Sequence, residues 1–296
     1  MATKNLIETT FEQCFNKYYY DEVVVGKLAH TEFKDGINRG DEVNVFMPVT
    51  VSMTAWDGES ELANPEKATK SIAKVKIDKA TYFHFEVDDV RMKQIENAPD
   101  LGQKVKLAKE YASDAVKQFA AGVDGAYAGL YPLAGYVLDN SGSAITASAS
   151  NVKAIFTAMQ TKFQRGDGSG HNSWFDGNMV AVIPPELEFF LGTQTDLIYT
   201  ESGHKKIEKG YVGKIGGWDI LVSNNIKAQS DTYYYPLFGI RGKSLAGGVS
   251  KSLHTESYRP DKKFTTCYKG YGIYGVGAPR ADLLGTAKLA ITVSVS

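Results

Sequence analysis

The sequence predicts an α+β fold, and three stretches carry the prediction. Residues 43–53 alternate apolar and polar with a period of two, and 73–77 and 83–87 return in the same period. Residues 100–129 change to steps of three and four, the period of an amphipathic helix well beyond average length. From 150 to 250 strands and helices alternate, and the tail returns to strand character. The order implies four segments. An arm spans 1–39 and a β-hairpin 40–87. A domain built on the long helix takes 88–145 with 258–296, and an α/β domain, 146–257, is inserted into it.

In chain order, Leu6, Ile7, Phe11, Cys14, Phe15 and Tyr18 fall at helical spacing. Val23-Val24-Val25 and a polar run then read as a loose arm leaning on something else. Two readings fit it equally: an interaction element, or an N-terminal helix packed on its own domain. Phe11, Phe15 and Tyr18 are its candidate contact residues.

From Gly40, Val43, Val45, Met47, Val49, Val51 and Met53 share one face, and Pro48 on the other marks an edge or a bulge. Ala73, Val75 and Ile77, then Phe83, Phe85 and Val87, make the return run. Between them lies a polar, acidic tip with Trp56, Asp57, Glu59, Glu61, Glu66 and Lys67. This reads as one long hairpin, marginal by itself in water. No nearby segment supplies a partner strand, so a neighbouring subunit is expected to cover its apolar face. The tip reads as a solvated or partner-facing patch.

A short helix capped by Asp88 or Asp89 is expected before the long one. Asp100, with Gln103 three residues on, signals the start of the long helix, and Gly125, Gly129 and Pro132 its stop. About 27 residues span about 40 Å at the helical rise. Its stripe is Leu101, Val105, Ala108, Ala112, Ala115, Phe119, Val123 and Ala126; Lys104, Lys109, Asp114, Lys117 and Asp124 are assigned to the outer face.

Ser150 or Asn151 caps a second helix with Val152, Ile155, Phe156, Met159 and Phe163 on one stripe. A loop, RGDGSGHNSW, follows it. MVAVIPPELEFFLG is a buried strand entering a helix through Pro184-Pro185. KIGGWDILVSNNI is a hairpin around Gly216-Gly217, and TYYYPLFGI another strand. A terminal strand over 290–295 is expected beside the long helix, closing its domain.

Composition narrows the function. Across 296 residues, 33 Lys and Arg face 34 Asp and Glu, so the basic excess of a nucleic-acid-gripping protein is lacking. Cys14 and Cys267 are too few for a disulfide framework and have no metal-site spacing. The first residues lack the apolar run of a signal peptide, and no window is apolar enough for a membrane span.

The chemical motifs fail on inspection. Gly270, Gly272 and Gly275 match G-x-G-x-x-G, but Val276-Gly277-Ala278-Pro279 does not open a helix and no acid stands 20 residues on. Gly239-Ile-Arg-Gly242-Lys243-Ser244 resembles the end of a phosphate loop, yet Leu237 sits where the first glycine is required. His30, His84, His171, His204 and His254 are scattered. No nucleophile elbow or paired general acid and base stands out. No enzyme, metal or cofactor is expected.

The order of arm, hairpin, long helix, inserted α/β domain and returning strands resembles the major capsid proteins of tailed double-stranded DNA phages, the Hong Kong 97 fold. GDEVNVFMPV resembles the entry to that family's extended E-loop, and FHFEVDDVRMKQ its exit toward the spine helix. MVAVIPPELEFFL with GYVGKIGGWDILVSNNI is similar to the axial domain, and YKGYGIYGVGAPRADLLG to peripheral-domain strands. The resemblance implies hexamers and pentamers of an icosahedral shell enclosing double-stranded DNA, with the E-loop across one neighbour and the arm gripping another. It implies a virion protein made in the host cytoplasm, a separate scaffolding protein and a portal. A net charge of -1 suits an inner wall that does not hold the genome. An encapsulin-like compartment shares the implied fold. A nucleotide-binding α/β enzyme, resting on the glycine runs, is the reading from another class.

Overall fold

The computed structural model describes residues 13–15, 17–19, 21–34, 39–46, 55, 58–59, 64, 72–88, 102–165, 178–192, 211–226, 233–250 and 253–291. Its strands are β1 (Ala29–Lys34), β2 (Glu42–Phe46), β3 (Ile72–Lys76) and β4 (Lys79–Asp88), followed by helix α1 (Gly102–Ala128). Then come β5 (Tyr136–Leu138), β6 (Ile145–Thr146), α2 (Val152–Arg165), β7 (Met179–Ile183) and α3 (Pro185–Leu191). The rest is β8 (Tyr211–Ile215), β9 (Trp218–Val222), β10 (Tyr233–Tyr234), β11 (Leu237–Ile240), β12 (Leu245–Ser250), β13 (His254–Tyr258), β14 (Thr265–Gly277), β15 (Leu284–Ala287) and β16 (Leu289–Ala290).

Two sheets and two helices form the body. A six-stranded sheet runs β5-β15-β11-β7-β9-β8, and its two faces feed different cores. On β7, Val180 and Val182 join the core of α1, while Met179, Ala181 and Ile183 join that of α2. That alternation is the strand period expressed as two interiors. The expected α2 stripe is buried as read, with Trp218 and Phe238 packed edge-on against Phe163 and Phe156. Asn151, just before α2, reaches back along the chain. Its amide oxygen accepts the Ser148 N–H at 2.8 Å, and its nitrogen donates to the Thr146 carbonyl. Gly216 and Gly217, both at positive φ, turn β8 into β9 as a two-residue hairpin requires.

The second sheet corrects the reading of the hairpin. Its strands are β1, β12, β14 and β13, with β4 also on β14. The hairpin proper is β2 on β3, from Glu42–Lys76 to Phe46–Ile72. The segment 79–88, expected to extend it, turns away at Asp78 and pairs antiparallel with β14 over ten positions. The missing partner strand was therefore supplied by the far end of the chain. Nor does the hairpin base need a neighbour to cover it: Val43, Val75 and Ile77 bury themselves with Ala246 of β12. Asp88 ends β4 opposite Thr265; the short helix expected after it lies outside the described residues.

The arm is likewise corrected over residues 13–34. Val23, Val24, Val25 and Leu28 are buried in the α1 core, and β1 pairs in parallel with β12. Of the two readings, a helical segment packed on its own domain is the one found. The tail also differs. Strand TYYYPLFGI breaks at Pro236 into β10 and β11, which belong to different sheets. The expected terminal strand begins at Leu289, pairs with β6 and β10, and sits in the α2 core and not beside α1. Residues 292–296 lie outside the described residues. Because β5 and β15 share a sheet with β7, β9 and β11, strand pairing crosses the boundaries expected at 145 and 257.

Both glycine motifs are structural. The G-x-G-x-x-G run lies inside β14, where a Cβ on Gly275 would stand 2.6 Å from the Ile77 Cα. Glycine is there because the chain turning from β3 into β4 crosses β14 at backbone contact. The Gly239–Ser244 run is a turn from β11 into β12; buried Ser244 Oγ donates to the Leu283 carbonyl at 2.6 Å.

Candidate assembly surfaces and the joint at Asp124

Asp124 stands at the centre of the body. Sequence reading put it on the outer face of the long helix; the structure buries it completely. Its Oδ1 accepts the Gly26 N–H at 3.0 Å, while Oδ2 accepts Ser223 Oγ–H at 3.2 Å and Asn225 Nδ2–H at 2.8 Å. Three elements thus meet on one carboxylate: α1, the 3-10 turn Val25–Leu28, and the loop after β9. Burial raises its pKa above the ordinary carboxylate value, and bonds from Asn225, Gly26 and Ser223 offset part of that. One turn on, buried Tyr127 hydrogen-bonds Thr31 of β1 at 3.2 Å, and burial pushes its hydroxyl up to about 12. The missed signal was spacing: Asp124 sits four residues from both Ala120 and Ala128, each of them buried.

The face of β4, β14 and β13 that carries Tyr82 is exposed except at Cys267, which is buried. Tyr82, His84 and Glu86 lie across from Tyr271, Lys269 and Cys267, with His254, Glu256 and Tyr258 on the third strand. Tyr82 is 83% exposed and Tyr271 46%, and Phe264, at the turn into β14, is 88% exposed. Lys269 pairs with Glu256 at 3.0 Å and Lys263 with Glu86 at 3.2 Å, so charge on this face is largely balanced. Exposed aromatics among neutralised charges form a surface fit for protein contact. His84, read as a surface histidine, hydrogen-bonds Tyr258 at 3.0 Å.

Of the expected arm contacts, Phe15 is spent inside the chain, stacked on Tyr19 at 4.7 Å and near Phe119 at 6.2 Å. This corrects its assignment as a contact to another subunit. Tyr18 is half-buried with the Lys17 and Lys117 ammonium groups over its ring at 5.0 and 5.2 Å. Phe11 lies outside the described residues, as do Trp56, Asp57, Glu61, Glu66 and Lys67 of the hairpin tip; Glu59 is exposed. Among the described residues, no group of three or more His, Cys, Asp or Glu is placed to hold a metal, and no helix is long and apolar enough to cross a membrane.

Residues 69–289 match the family described as phage capsid protein. The chain belongs to that family. This capsid protein also shares its mixed α+β fold with solved structures. One is from Mycobacterium phage Che8, at 19% identity and a TM-score of 0.60, covering 90% of each chain. The capsid of Ralstonia phage GP4 matches at 15% identity and a TM-score of 0.63, over 94% of this chain and 92% of that one. A virus-like particle from Pyrococcus furiosus matches at 10% identity and a TM-score of 0.54, over 95% and 97%. No curated protein matches the capsid protein by sequence.

Proposed function

We propose that this chain is the major subunit of an icosahedral shell, joining copies of itself into hexamers and pentamers around double-stranded DNA. The observation that carries this is the family match together with coverage: the Ralstonia phage GP4 capsid is matched along more than nine-tenths of both chains, which supports reading this chain as a shell tile. In this reading the fold is Hong Kong 97-like, with α1 as the spine of a peripheral domain and the α2 unit as the axial domain. The tip at Trp56, Asp57, Glu59, Glu61, Glu66 and Lys67 extends the β2–β3 hairpin onto a neighbour, and Phe11 and Tyr18 add contacts near the N-terminus. The exposed aromatic face around Tyr82 and Tyr271 supports repeated protein contact. Scaffolding and portal are separate proteins, and the DNA is enclosed without sequence-specific binding. Each exposed ion pair contributes only about 0–1 kcal/mol, which a shell multiplies over many copies.

Deleting residues 54–70 tests the hairpin's part. Electron microscopy and sedimentation of that variant are expected to show no stable closed particles; normal, stable particles would sink the claim. An encapsulin-like compartment of the same fold is the competing reading. Packaged genomic DNA in purified particles decides for the capsid.

A further inference from the structure

We propose that the free edge of β4 is a strand-pairing site that takes the same edge of a second copy, antiparallel about a two-fold axis through Phe85. β14 occupies one side of β4 over Thr265–Tyr274, and among the described residues no strand lies on the other. A row of backbone N–H and C=O groups is left there without a ladder. Sequences ordinarily blunt such an edge by shortening, bulging or charging it. The other edges of this molecule follow that rule. β5 has three residues, and the Lys162 ammonium donates to its Val137 carbonyl. The register of β8 slips between Tyr211 and Gly213. β1 and β13 have six and five residues. β4 has ten, KATYFHFEVD, without proline, and its register with β14 is unbroken. Aromatic side chains flank this edge on both faces. Exposed Tyr82 stands on one; on the other Phe85 stacks at 5.0 Å on Tyr111 of α1, itself exposed.

A second copy is the occupant that this edge fits. Directly opposite residues of an antiparallel pair share a face, so a two-fold axis sets even-numbered residues of β4 against even-numbered ones. Ala80, Tyr82, His84 and Glu86 share the Tyr82 face. With His84 on the axis, two imidazoles face each other. With Phe83 there, His84 meets Tyr82 and Glu86 meets Ala80. With Phe85 on the axis, His84 of each copy meets Glu86 of the other, and charge is complementary twice over. A ring N–H donates to a carboxylate whether the imidazole is charged or neutral. Glu86 is half exposed beside Lys263, so its carboxylate has room for a second partner. On the opposite face the same axis brings the two Phe85 rings together, with an exposed Tyr111 beside each. Such a contact is none of those within a ring of five or six. Its place in a shell, tying one ring to the next, rests on the shell reading; the pairing itself does not.

The test is disulfide trapping in the full-length protein, read on non-reducing gels after mild oxidation. Opposite residues of an antiparallel pair stand about 4.5–5.5 Å apart, within disulfide reach. Phe85→Cys, on the axis, is expected to convert most of the chain to a linked dimer. Phe83→Cys, which this register sets about 13 Å from its own copy, is expected to link several-fold less. The wild type serves as the blank, since Cys14 and Cys267 are buried. If Phe85→Cys does not fold, His84→Cys co-expressed with Glu86→Cys replaces it, both positions being exposed. A linked dimer joining those two variants is then expected, and its absence overturns the pairing. So does a folded Phe85→Cys that forms no linked dimer, links no more than Phe83→Cys, or links to a different protein. Regular shells without the link would remove this contact and leave the shell reading standing; the link without rings or shells would do the reverse.

Discussion

Gly275→Val is expected to lower the free energy of unfolding by about 3 kcal/mol or more, the range of severe overpacking. At this position the first side-chain carbon would meet backbone: the Ile77 Cα stands 2.6 Å away and the Lys76 carbonyl closer still. A flexible side chain could yield, as Phe119 could opposite Gly272; the turn from β3 into β4 cannot, because Gly40 N–H donates to the Ile77 carbonyl and Ile77 N–H to that of Asp41. The substitution should therefore unseat the hairpin base, expose Val43, Val75 and Ile77, and open residues 41–77 to protease. Thermal unfolding and limited proteolysis read both effects. Wild-type stability with unchanged cleavage would refute the crossing of hairpin and β14 as described.

Asp124→Ala is expected to cost about 2–4 kcal/mol, measured by denaturant unfolding near neutral pH. Truncation leaves the Gly26 N–H and the Asn225 amide buried and without an acceptor, and each such orphan costs more than an ordinary hydrogen bond contributes. Removing a buried charge offsets part of the loss, which holds the figure below the sum of the bonds broken to Asn225, Gly26, Ser223 and Val25. Asp124→Asn should lose much less, because its amide keeps an acceptor for Gly26 and Asn225 can turn its own amide to match. Equal losses in the two variants would contradict the hydrogen-bond account.

Where a residue's partners were local, the sequence was legible. The α2 stripe from Val152 to Phe163, the Gly216-Gly217 turn and the Pro184-Pro185 entry to α3 were all readable, since each is decided within one or two turns of chain. The family was legible from the order of elements. What failed was choice of partner. Period two marks 79–88 as a strand but cannot say that its mate is 265–274, nor that Pro236 sends β10 and β11 to different sheets. Asp124 was misread because polarity was taken for exposure, although its spacing from Ala120 and Ala128 put it on the buried stripe. Phe15 was misread for the opposite reason: an apolar residue near a terminus was offered to a neighbour when Phe119 lay within reach. The hairpin tip, except for exposed Ala55, Gly58, Glu59 and Asn64, remains a reading of sequence and family.

Electron microscopy of the purified full-length protein, beside its sedimentation, tests the central claim most directly. The account predicts regular closed shells, or the rings of five and six copies from which they are built, sedimenting far faster than a single 32.3 kDa chain. A monomer at every concentration, without rings or shells, would contradict it.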